Sequence, residues 1–123
     1  MSEIGTRVRS FGHAFRGLAL LVRSEPNARI HAAASVAVCG LAFFLGVGRA
    51  DWALLVFAIV AVFAAEALNT AIEVLADRVC EDPDPAIGRA KDLAAAGVLV
   101  AAAGAAAVGL LVLGPPLWRV IAG

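Results

Sequence analysis

The chain has 123 residues, of which 62% are hydrophobic and only 16% charged, and its mean hydropathy is +0.90. That balance excludes an ordinary soluble domain and makes a bilayer the expected solvent, while a length of about one domain leaves no room for a separate soluble catalytic unit. Ten basic against ten acidic residues give a formal net charge of zero, so general electrostatic attraction to nucleic acid is not a basis for function.

Residues 4–22 carry Ile4, Val8, Phe11, Phe15, Leu18 and Val22 at helical spacing, with Arg7, Ser10 and Arg16 off that stripe. This predicts an amphipathic helix lying on a membrane surface. It lacks a compact apolar stretch followed by a small-residue cleavage site, so it is expected to remain in the mature protein. Ser24, Glu25, Pro26 and Asn27 break the pattern, because proline disfavours helix at the residue before it yet suits the first turn of a new one.

The first crossing helix is predicted over residues 27–47, uncharged from Ala32 onward and close to the roughly 17 to 25 residues that a bilayer requires. Gly46, Gly48, Arg49 and Asp51 predict the next turn. The second crossing helix is predicted over residues 52–77, but its later half holds Glu66, Asn69 and Glu73, which a purely structural span avoids. A charged loop, CEDPDPAIGRAKD, follows at residues 80–92, and the third crossing helix is predicted over residues 91–119, without charge from Leu93 to Trp118. Cys39 and Cys80 lack the spacing of a disulfide framework or a zinc site.

Arg7, Arg9, Arg16, Arg23 and Arg29 precede the first span, and Arg78, Arg89 and Lys91 separate the second from the third, whereas the opposite side carries only Arg49 and Arg119. The positive-inside rule therefore puts the N-terminus and the second loop in the cytoplasm. Trp52 and Trp118 suit interface anchors on the far side. Small residues crowd the first and third spans (residues 32–34, 94–96 and 101–107), which permits close helix contact. Three spans make a thin bundle, so self-association is expected.

At about 100° and 1.5 Å per residue, Glu66, Asn69, Glu73 and Asp77 occupy an arc of roughly 80° and a stripe about 16 Å long. One end can meet a lipid headgroup and the other a water-soluble nucleotide. Intramembrane carboxylates need a proton, a partner or a cation, and magnesium suits one or two carboxylates that share it with substrate phosphates. A buried Glu66 also needs a nearby cation or hydrogen bond to persist as a carboxylate. Two other uses of such a stripe are open to residues of this kind: lining a small proton or cation channel, and locking helices together in a non-catalytic assembly protein.

The stretch EALNTAIEVLAD at residues 66–77, GRAKD at residues 88–92 and Glu25 before the first span together resemble the prokaryotic diacylglycerol kinase and undecaprenol kinase family, over nearly the whole chain. The resemblance implies an all-α membrane protein with a surface helix and three spans, assembled as a homotrimer in the bacterial inner membrane with active sites between subunits. It implies transfer of the γ-phosphate of ATP to the hydroxyl of a membrane lipid alcohol, with magnesium as cofactor. Glu66 matches the family's general base, Asn69 a positioning amide, and Glu25 and Glu73 its metal-binding carboxylates, which also serve the nucleotide. Asp77, Lys91 and Asp92 match its nucleotide side, and His13 stands where relatives place a nucleotide-contacting residue. The segment EPNARIH at residues 25–31 looks more like the undecaprenol kinase branch, since the enterobacterial diacylglycerol kinase has an acidic residue at the His31 position. His31 itself reads as a structural or interfacial group, and Glu81, Asp82 and Asp84 as a hydrated loop. No Walker A or protein-kinase signature is present.

Overall fold

Each helix begins and ends where local chemistry requires. In the computed structural model, which describes residues 2–123, Ser2 caps α1 (Glu3–Ser24) by accepting a hydrogen bond from the Gly5 amide at 3.2 Å. At its other end the Arg29 guanidinium donates to the carbonyls of Val22 and Arg23, at 3.1 and 2.8 Å, satisfying acceptors that a helix end leaves open. Glu25 alone is extended, and Pro26 starts α2 (Pro26–Leu45) at a position where its missing N–H costs nothing. The junction expected from Ser24 to Asn27 is thus a single-residue break.

The second junction is tighter than predicted. Gly46 adopts φ 66°, and its amide bonds back to Ala42 and Phe43, the left-handed ending for which glycine carries no steric penalty. The chain re-enters helix at Arg49, so Arg49 and Asp51 belong to the first turn of α3 (Arg49–Val79) rather than to a loop. A carboxylate there is favoured by the helix dipole.

The largest difference lies before the last helix. α4 (Pro85–Ala122) starts six residues ahead of the predicted Lys91, because Asp84 accepts from the amides of Ala86 and Ile87 at 2.8 and 3.2 Å and Pro85 suits the first helical position. Asp84 is therefore a helix cap, and GRAKD is helical.

α2, α3 and α4 are each long and apolar enough to cross a membrane, and no strand occurs among the described residues. The chain is an all-α membrane protein with three candidate spans. α3 and α4 form the most extensive pair, α2 lies against both, and α1 touches α2 and α3. The buried cluster of Ala42, Leu55, Val112 and Leu113 sits where α2 ends and α3 begins, with Trp52 partly buried against it. Trp52 therefore packs into the bundle, whereas Trp118 is exposed.

Most apolar side chains of the spans point outward, as expected of a surface that meets lipid or further copies of the chain. The predicted stripe of α1, from Ile4 to Val22, is also exposed. Its anchor to the bundle is Leu21, only 3% exposed, which lies off that stripe. α1 thus keeps its amphipathic face available to a bilayer surface.

Candidate active site

One uninterrupted helix, α3, carries Glu66, Asn69, Glu73 and Asp77. Their burial falls along it: Glu66 is 2% exposed, Asn69 and Glu73 are half-buried, and the Asp77 side chain is 71% exposed. The stripe therefore runs from the bundle interior to open solvent.

At the deep end, Glu66 Oε1 lies 3.3 Å from Nε2 of His31 on α2. The approach is close enough for an ion pair, but Oε1 has no hydrogen bond of acceptable direction. Asn69 Oδ1 and Thr70 Oγ1 are likewise buried without a hydrogen-bond partner. Buried orphan oxygens are uncommon in folded chains, and a cluster of them calls for a donor or cation from elsewhere. His31 also lines a groove of about 290 Å³ between α2, α3 and α4, together with Ala34, Ser35, Val62 and Ala102. A second apolar groove, about 740 Å³, separates α1 from α3 and is lined by Gly17, Leu21, Thr70, Val74 and Arg78.

At the shallow end, Lys91 Nζ on α4 donates to Asp77 Oδ1 at 2.8 Å. The Glu73 charge also reaches this ammonium. Asp77, Cys80, Asp82, Gly88 and Lys91 surround an open cavity of about 510 Å³, in which the chain's single lysine is the one ammonium. A compact ammonium suits a phosphate oxygen as a point-charge partner. Here it is held by a carboxylate, so an anion would have to share or displace Asp77.

The remaining candidates are more dispersed. Glu25 is half-buried at the α1–α2 junction. His13 is exposed on α1, with Nδ1 2.7 Å from Arg16 Nη2, and Asp92 is exposed on α4. No group of three His, Cys, Asp or Glu side chains among the described residues is arranged so that it could hold a metal ion by itself. Carboxylates at Glu25 and Glu73 are nevertheless the hard oxygen donors that magnesium takes, and that ion is completed by phosphate oxygens and water rather than by a full protein cage.

Two residues beside Glu66 escape a sequence reading of the stripe. Thr70 carries no signal, since a threonine in an apolar helix can bond its own backbone. His31 had one: Arg29 and His31 are the two α2 side chains able to carry positive charge, and a buried carboxylate on the neighbouring span needs such a partner.

Residues 12–113, which include every candidate from His13 to Asp92, match the family model described as prokaryotic diacylglycerol kinase. Undecaprenol kinase of Bacillus subtilis (strain 168) is 36% identical over 116 residues, covering 94% of this chain and 94% of the relative. Diacylglycerol kinase of Escherichia coli (strain K12) is 31% identical over 94 residues, covering 76% of this chain and 77% of the relative. Diacylglycerol kinase of Synechocystis sp. (strain ATCC 27184 / PCC 6803 / Kazusa) is 36% identical over 109 residues, covering 88% and 62%. On this similarity, spread over the surface helix, the spans and the polar stripe, the chain belongs to the prokaryotic diacylglycerol kinase family.

Proposed function

We propose that the chain is a lipid kinase that transfers the γ-phosphate of ATP to the hydroxyl of a membrane lipid alcohol, with Glu66 as general base. Family membership supports lipid phosphorylation. The single observation that carries the residue assignment is the polar stripe, with a buried carboxylate at depth and an exposed Asp77–Lys91 pair at the surface of the same bundle.

Phosphoryl transfer asks little covalent chemistry of a protein; it needs aligned reactants, charge stabilisation and a group that orients or deprotonates the nucleophile. In this reading the acceptor oxygen bonds to the γ-phosphorus, the bond from that phosphorus to the β,γ-bridging oxygen breaks, and ADP leaves. The hydroxyl proton passes to Glu66. Asn69 orients the reactants, and Lys91 and Asp77, with Asp92 and His13, serve the nucleotide. Glu25 and Glu73 would hold magnesium, whose chemistry is to neutralise charge on the phosphate oxygens.

A hydroxyl reaching Glu66 must lie below the headgroup plane, so the acceptor is a neutral lipid whose chain stays in the bilayer. The alanine-lined groove beside His31 offers a smooth surface to hydrocarbon and little means of reading it. The similarity to undecaprenol kinase over 94% of each chain supports undecaprenol as the preferred acceptor, with diacylglycerol also accepted. The arginine distribution supports a cytoplasmic N-terminus and nucleotide side; the bacterial inner membrane and assembly as a homotrimer with sites completed between subunits are what the family resemblance implies, and the outward apolar faces leave surface for further copies beside lipid.

The test is kcat/KM for undecaprenol, diacylglycerol and a short soluble alcohol in the same vesicles, with ion flux recorded in parallel. Lipid-dependent ATP consumption without flux supports a kinase; flux without lipid product supports a channel, a reading that the charge-free interior of α4 from Leu93 to Trp118 disfavours.

A further inference from the structure

We propose that His31 is the positioning residue of Glu66: its Nε2–H holds Oε1 of the carboxylate and keeps the group aimed at the acceptor hydroxyl. This rests on the reading of Glu66 as the proton acceptor.

A carboxylate that is 2% exposed is costly unless charge or hydrogen bonds accompany it. The surroundings of Glu66 offer few sources. α4 brings no charged group between Leu93 and Trp118. The groove between α1 and α3 borders Ala67 and Thr70 rather than Glu66 itself, and its α1 side (Ala14, Gly17, Leu18, Leu20 and Leu21) is apolar. On its own helix, Asn69 Oδ1 and Thr70 Oγ1 are themselves without partners, and Glu73 carries the same charge two turns away. α2 supplies His31, with Nε2 at 3.3 Å.

The histidine is placed to do this without being locked. Its backbone carbonyl accepts from Ser35 Oγ at 2.7 Å, while the side chain is 27% exposed and borders the α2–α3–α4 groove. The 3.3 Å approach is a long contact of the kind that tightens into a directed hydrogen bond when substrate binds. During transfer the hydroxyl proton moves to Glu66, and His31 keeps its own Nε2 proton. His31 touches the base rather than the reacting atoms.

The test compares His31→Phe, which keeps the ring's bulk without a donor, with His31→Gln, which keeps a donor with less bulk. In vesicles with Mg·ATP and a lipid alcohol, His31→Phe should lower kcat by about 10- to 100-fold, a part of the usual general-base contribution, with KM for ATP unchanged. His31→Gln should restore much of that loss. Wild-type kcat in the Phe variant, or a Gln variant as slow as Phe, overturns the proposal; a packing role would favour Phe over Gln. A readout independent of turnover is the ¹⁵N spectrum of histidine-labelled protein in bilayers. The His31 Nε2 resonance, identified by its loss in His31→Gln, should move in Glu66→Gln, and an unmoved resonance rejects the pairing. Wild type that phosphorylates no lipid while showing that coupled resonance refutes the kinase reading and leaves the pair standing.

Discussion

Replacing Glu66 with glutamine separates chemistry from binding more cleanly than any other single change in this bundle. The amide has nearly the shape of the carboxylate, so the pocket that leaves residue 66 only 2% exposed stays filled, and no charge is left buried. What disappears is the capacity to take a proton. A positioned general base contributes about 10² to 10⁴ in rate, which at about 1.36 kcal/mol per tenfold corresponds to roughly 3 to 5 kcal/mol of barrier. Nucleotide binding should not follow that loss, because Asp77, at the solvent end, lies about 16 Å along the helix at about 1.5 Å per residue. The assay is single-turnover transfer of labelled γ-phosphate to lipid in vesicles, beside equilibrium binding of ATP to the same preparation. Turnover of Glu66→Gln within about threefold of wild type, far below the expected loss for a general base, refutes the role. A drop in ATP affinity as large as the drop in turnover refutes the separation of depths.

Three further outcomes follow from the same geometry. Glu25→Ala and Glu73→Ala should each weaken Mg·ATP binding, with partial recovery at higher magnesium because phosphates and the remaining carboxylate still hold the ion; a magnesium titration of activity that matches wild type in both variants counts against a shared site. Lys91→Ala should raise KM for ATP about tenfold, with the difference from wild type shrinking as salt is added, since a point charge on phosphate is lost and exposed charges are screened; an unchanged KM places the nucleotide elsewhere. Asp84→Ala removes the cap of α4 and should cost about 1 kcal/mol, seen as faster amide exchange at Ala86 and Ile87; exchange no faster than in wild type contradicts the cap.

Features set by neighbours along the chain were legible in the sequence. The break at Glu25 and Pro26, the three spans and the stripe from Glu66 to Asp77 all follow from helical period, proline chemistry and apolar length. Boundaries slipped where charge density outweighed capping chemistry. Residues 85–90 read as loop because they sit among acids and prolines, although Asp84 followed by Pro85 is itself a helix-start signal. Asp51 read as turn for the same reason.

Contacts between helices were less accessible, because side-chain register across two spans is decided by packing. The Asp77–Lys91 contact joins residues 14 apart across a turn, and the pairing of His31 with Glu66 depends on how far α2 slides along α3. Leu21 shows the same limit. Periodicity picks out the apolar face of α1, but the bundle takes its contact from another side of that helix.

Whether the chain phosphorylates a lipid is decided by where the label of γ-labelled ATP goes. Purified wild-type protein in vesicles containing undecaprenol and diacylglycerol would be given magnesium and γ-labelled ATP, and the lipids extracted and separated. Lipid phosphorylation with Glu66 as base predicts label in a lipid phosphate monoester, most of it on undecaprenol, formed one for one with ADP and absent with Glu66→Gln. Label found only in ATP and inorganic phosphate, with both lipids unmodified, would contradict it.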